Sequence, residues 1–201
     1  MILTNIPFSC LQWVPEQNQY LVYWSSKVYA EDDPGHSGDP SYDQIWAAYT
    51  SDFVNFGAPF EYMSFSDHGL IDLTMHKVGE PSTYVRYWKD EIEYKCRGQV
   101  SYNGVTGDWQ DIGSSTSYVD ASDQNEGPLM FQDNLVANRW HVWVDYYNSC
   151  QGYQPWQTDN VTQPGFTLGS KTDYPACGVL KHGAVVSATQ QQIDQLIAAY
   201  P

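Results

Sequence analysis

Positive charge is what this sequence has least of. Nine Lys and Arg stand against 24 Asp and Glu, for a formal net charge of −15. That balance argues against nucleic acid and against an anionic membrane as partner, since both are held by clusters of basic side chains. Cysteine is sparse as well: Cys10, Cys96, Cys150 and Cys177. None belongs to a C-x-x-C pair, which argues against a structural zinc site. No apolar run approaches the ~20 residues of a transmembrane helix. The opening residues, MILTNIPFSC, have neither the basic start nor the long apolar core of a signal peptide. The expectation is a mature chain or a piece of a longer one.

What the chain has instead is aromatic surface. Aromatics make up 15% of its 201 residues, with 8 Trp and 16 Tyr, and hydrophobic residues 42%. This is too apolar for disorder and long enough for one sizeable core or a compact repeat array. Aromatic rings suit the C–H faces of neutral ligands such as sugars, and they equally suit packing between β-strands. The even cysteine count, the sequon at Asn160-Val161-Thr162 and the acidic balance point to a secreted, extracellular protein. Four cysteines allow three pairings; Cys150 with Cys177 is the first choice, because the two bracket one hairpin-rich segment.

Three strand-like runs resemble one another: YLVYWSS from Tyr20, YVRYWKD from Tyr84 and WHVWVDY from Trp140. Their corresponding positions Trp24, Trp88 and Val144 lie 64 and 56 residues apart. A shorter strand precedes each (CLQWV, LIDLTMH, GPLMF) and a further strand follows each (QIWAAYT, RGQVSYN, GYQPWQT), before a turn toward Phe56, Trp109 or Phe166. A period near sixty residues with about four antiparallel strands per unit predicts the blades of an all-β propeller, with a β-sandwich as the alternative. The units run over about 8–66, 67–122 and 123–178, with a partial fourth over 179–201 in one domain spanning 1–201. KHGAVVS reads as the first strand of that fourth unit. TQQQIDQLIAAY reads as a short C-terminal helix capped by Thr189.

In a propeller the first strand of each blade lines the central channel. Those strands carry Asp72 in LIDLT and Glu126 in NEGPL, single carboxylates at equivalent places in consecutive units. Two carboxylates at one channel mouth are what glycoside hydrolysis requires: one protonates the leaving oxygen while another tunes it or activates water. Like charges at short range raise one pKa, which would keep Glu126 protonated. Capping of a local turn by each carboxylate is the competing explanation.

The segments IDLTMHKVG…YVRYWKDE, NEGPLMF…WHVWVDYY and KHGAVV resemble glycoside hydrolase family 43, and the resemblance runs from about Trp13 to Val186. It implies a five-bladed propeller glycosidase of the arabinofuranosidase or xylosidase type, acting on plant cell-wall polysaccharide or oligosaccharide. Carried over, Glu126 is the general acid and Asp72 the carboxylate that tunes it. His182 lies on the channel floor, holding a metal or water or packed as a hydrogen-bonded side chain. Lys89 and Glu91 reach the sugar pocket or form a salt bridge between blades. Trp13 and Trp24, with Trp88 and Trp143, are candidates for a sugar platform or for blade core, and Asp145 is structural. No cofactor is implied for turnover, with a calcium ion in the channel as a structural option.

The resemblance also implies a third carboxylate, a general-base Asp on the first blade, and no Asp precedes Asp32 here. The expectation is therefore a propeller truncated at its N-terminus, entering at the second blade: a weak hydrolase, or an inactive sugar-binding or self-associating fragment. Glu16, Asp39 or a partner chain are the substitutes for the base. An incomplete ring of about three blades would close as an open arc, a three-bladed unit or a homo-oligomer.

Overall fold

The computed structural model describes residues 9–149, 151–170, 172 and 182–200. These form three four-stranded antiparallel sheets and one helix. The first sheet holds β1 (Ser9–Val14), β2 (Gln19–Ser26), β3 (Gln44–Thr50) and β4 (Phe60–Met63). The second holds β5 (Leu70–Gly79), β6 (Thr83–Asp90), β7 (Lys95–Ser101) and β8 (Trp109–Asp111). The third holds β9 (Glu126–Gln132), β10 (Trp140–Tyr146), β11 (Gly152–Thr158) and β12 (Thr167–Leu168). In each sheet the strands lie side by side in chain order. That is the meander of a propeller blade, the all-β architecture expected from the repeat.

The middle blade shows why these runs are so apolar. Along β6, side chains alternate between the two faces of the sheet, and both faces are covered. Tyr84 and Trp88 enter a core shared with Val14, Leu21, Tyr23 and Ile45 of the first blade. Val85 and Tyr87 enter another, shared with Met130, Trp140, Val142 and Val144 of the third. A strand covered on both sides has no polar face, so YVRYWKD reads as one continuous buried run. The same alternation sends Arg86 toward the first blade, where its guanidinium lies 4.1 Å over the Trp109 ring and donates to Gln99. It sends Lys89 the other way.

The structure bears out the turn toward Phe56 and the C-terminal helix, and departs from the sequence reading over residues 182–189. In the first blade the fourth strand begins at Phe60; Phe56 makes one isolated bridge to Thr50. Asp52 accepts the N–H groups of Val54 and Asn55, which folds that segment into a turn. Residues 182–189 form no strand. Their β-branched pair Val185-Val186 suits a strand, but a strand also needs a hydrogen-bonded neighbour. The helix α1 (Gln190–Ala199) is capped by Thr189 through a capping box with Gln192, as its sequence predicts, yet none of its residues is buried. It therefore covers no blade edge. Cys10 and Cys96 are free thiols, while Cys150 and Cys177 lie outside the described residues.

Gly98 on β7 tests how tightly the second and third blades are packed. A methyl group there would sit 2.4 Å from the Tyr87 ring, which is fully buried and whose hydroxyl donates to the Val161 carbonyl at 3.2 Å. Gly98→Ala is expected to destabilise the fold by about 1–3 kcal/mol, the usual range for overpacking, measured by urea unfolding. An unchanged midpoint would show that Tyr87 has room to retreat.

Candidate active site

The first strands of the second and third blades are both irregular at the same level. The β5–β6 ladder slips between Ile71 and Thr74, and the β9–β10 ladder slips between Trp143 and Asp145, leaving Asp145 opposite Glu126. At the first slip Asp72 takes a left-handed backbone, φ +58°. Asp tolerates this conformation better than most residues, at a cost of order 1 kcal/mol. At the second, Gly127 takes φ +54°. Such slips re-aim side chains, and here they turn two carboxylates toward each other.

The contact between the blades is direct. The Gly127 N–H donates to Asp72 Oδ2 at 3.1 Å. One atom each from Asp72, Glu126 and His182 lie within 4.8 Å of one another. Glu126 Oε2 accepts from Lys89 Nζ at 3.0 Å, and Glu126 Oε1 lies 3.4 Å from His182 Nε2. Lys89 is shared: its Nζ is also 3.0 Å from Glu91 Oε1 and 4.5 Å from the centre of the Tyr147 ring. Tyr153 fastens the His182 segment to the blade, donating to the Gly127 carbonyl and accepting from the Gly183 N–H.

Burial sets the electrostatics. It pushes the Asp72 carboxyl above the ordinary carboxylate range, and the Glu126 charge adds to this; His182, the Gly127 N–H and Lys89 offset it only in part. Burial alone would lower Lys89, but its hydrogen bonds to Glu126 and Glu91 outweigh that and hold it above the ordinary lysine range. The arrangement is a cation gripped by two carboxylates beside a third that burial inclines toward its neutral form. Chemically, such a group can supply a proton and receive the charge left behind.

The structure brings Asp72, Lys89, Glu91, Glu126 and His182 together and leaves the other candidates elsewhere. Glu16 accepts from the Ser82 and Tyr84 hydroxyls and lies 3.7 Å from Lys77. Lys77 is five residues beyond Asp72 on β5, about 16 Å at ~3.3 Å per residue. Glu16 thus belongs to the opposite end of the blade, which removes it as a substitute base. Asp39 is exposed in the loop between β2 and β3. Trp24 is 5% exposed, too enclosed for a sugar platform. Trp13 is 39% exposed and packs on Tyr20, with ring centres 4.8 Å apart. Sequence reasoning missed Tyr147, Tyr153 and Gly127. Only Gly127 carried a signal, the Gly-Pro that follows Glu126.

The sequence model of the glycoside hydrolase family 43-related family, described as a probable glycosyl hydrolase domain, matches residues 10–194. An α-L-arabinofuranosidase of Bifidobacterium longum subsp. longum is 30% identical over 126 residues, covering 57% of this chain and 11% of that protein. The chain thus spans about a ninth of the length of this relative. Among solved structures, an exo-β-1,3-galactanase from Phanerochaete chrysosporium with β-1,3-galactotriose aligns at TM-score 0.53 and 6% identity, over 80% of this chain and 34% of that one. A GH43 β-1,3-galactosidase aligns at TM-score 0.51 and 8% identity, over 80% and 31%. At these identities the likeness is one of fold.

Gly127 joins the backbone strain to the site. A methyl group there would lie 2.5 Å from the His182 ring, on a backbone that already disfavours any side chain. Gly127→Ala is expected to cost more than ~1 kcal/mol in unfolding free energy. Wild-type stability in this variant would mean that His182 does not pack against Gly127.

Proposed function

The chain belongs to the glycoside hydrolase family 43-related family, and from that premise we propose that it hydrolyses O-glycosidic bonds in arabinose- or xylose-containing polysaccharide, with Glu126 as general acid. The observation that carries this reading is the pairing of Asp72 and Glu126 on the first strands of consecutive blades, joined through the Gly127 N–H. Glu126 protonates the glycosidic oxygen as its bond to the anomeric carbon breaks, and a water molecule bonds to that carbon and releases its extra proton to solvent. Asp72 holds the backbone that presents Glu126, accepting the Gly127 N–H. The name of the curated relative, an α-L-arabinofuranosidase, supports the arabinose class; the galactan-cleaving neighbours bear on the fold alone.

The short reach between the carboxylates limits Asp72 to that role in an inverting reaction. An acid and a base that activates water stand ~6.5–9.5 Å apart, whereas oxygens of Asp72 and Glu126 lie within 4.8 Å. Calcium does not fit the cluster well, since it takes six to eight oxygen ligands and one of the three donors here is an imidazole. No step is assigned to it. Secretion and a Cys150–Cys177 bridge belong to the same proposal.

One feature favours a second reading, a sugar-binding domain without turnover. β1, the first strand of the first blade, carries Ser-Cys-Leu-Gln-Trp-Val and so offers no carboxylate. The field of Asp72 falls there on a thiol: burial, and after it the Asp72 charge, pushes Cys10 up.

Hydrolysis of an aryl α-L-arabinofuranoside should fall about 10²–10⁴-fold in Glu126→Gln, the usual contribution of a general acid. Equal background rates in both proteins would sink the hydrolase, and calorimetry with arabino-oligosaccharides would then decide whether the cleft binds sugar. The anomeric form of the first product, read by NMR, checks the role of Asp72. Inversion is expected; retention would make Asp72 the nucleophile.

A further inference from the structure

We propose that Lys89 is a positioning residue for the general acid: its ammonium bridges Glu91 and Glu126, and its hold on Glu126 strengthens as the proton leaves that carboxyl. This rests on the reading of Glu126 as the acid. The sequence left Lys89 either as a sugar contact or as a salt bridge between blades. Its surroundings favour neither a free sugar ligand nor a simple strut.

Three observations on geometry carry the inference. Lys89 is 6% exposed, so its ammonium has little surface to offer a sugar. Its Nζ lies at the same distance, 3.0 Å, from a carboxylate oxygen of Glu91 on its own blade and of Glu126 on the next. The Tyr147 ring, 4.5 Å away, adds an attractive face that serves either pairing. The ammonium thus bridges both carboxylates at once, with Glu91 as a second counter-charge beside Glu126.

The chemistry uses both contacts. Glu91 shares the ammonium, so the positive charge of Lys89 does not fall on Glu126 alone. In bond cleavage the O–H bond of Glu126 breaks, a new O–H bond forms on the departing glycosidic oxygen, and a full negative charge appears on Glu126. Lys89 is already within hydrogen-bond reach of that charge. Stabilisation that grows as the proton moves lowers the barrier, whereas an interaction equal in both states does not. A bare Glu126–Lys89 pair without Glu91 would instead favour the ionised acid from the start.

The test compares two arabinofuranosides, one with a good leaving group (2,4-dinitrophenyl) and one with a poor leaving group (a xylo-oligosaccharide). Departure of a good leaving group needs little help from an acid. In Lys89→Met, kcat on the poor leaving group should fall about tenfold or more beyond its fall on the good one, a fraction of the ~10²–10⁴-fold effect of the acid itself. Lys89→Arg should recover part of the difference. Losses equal on both substrates, no loss at all, or a rise in KM with kcat kept would overturn the proposal; the last would make Lys89 a sugar contact. Should Lys89→Met fail to fold, Glu91→Gln carries the same comparison, with the same selective loss expected. Wild-type turnover that Glu126→Gln abolishes but that neither variant affects selectively overturns this proposal alone. Wild-type protein inactive on both substrates overturns the hydrolase reading and this proposal with it.

Discussion

Everything in this molecule hangs on one constraint: a four-stranded sheet has two faces and cannot cover either by itself. The middle blade meets the constraint on both sides. Its β6 strand sends Tyr84 and Trp88 into one core and Val85 and Tyr87 into the other. Full burial of side chains of this size contributes about 1.5–3 kcal/mol each, far more than any ion pair on the surface. The positions of Asp72 and Glu126 are consequences of that packing. The apolar faces set how far apart the first strands of two blades stand, and the carboxylates inherit the spacing.

Positive charge is scarce in this chain, and two of its nine basic side chains, Arg86 and Lys89, are nearly fully buried on opposite faces of β6. Neither is a bare charge in an apolar core. Arg86 is sandwiched by Trp109 and Tyr62 and bonded to Gln99, and burial lowers its pKa to about 10. Lys89 is gripped by two carboxylates. Burying a cation is costly unless it is paired. One face of the strand meets that cost with rings and an amide, and the other with acids. Only the second arrangement lies beside the Asp72–Glu126 pair.

The blades were legible in the sequence because strand patterning is local. Alternation along YLVYWSS and YVRYWKD, and turn residues between runs, depend on neighbours a few positions away. The lone carboxylates Asp72 and Glu126 were visible for the same reason, as polar residues at matching points of apolar strands. The geometry between them was not. Left-handed backbone at Asp72 leaves no mark when the residue is not glycine, and Tyr153 is one of 16 tyrosines. Val185-Val186 promised a strand because propensity does not report whether a neighbour is present. Glu16 looked near the mouth because the sequence shows that a residue ends a strand, but not which partners claim it across the blade.

The strand order has a kinetic side. Each sheet pairs only strands that follow one another in the chain, so every blade is built from contacts between neighbours in sequence. The contacts that make the cluster are of another kind. Lys89 reaches Glu126 across 37 positions and Gly127 reaches Asp72 across 55, and both bonds exist only once two finished sheets have met. Non-local contacts of this sort are slow to form and close late. The cluster is therefore a product of the docking of two blades and of neither blade alone.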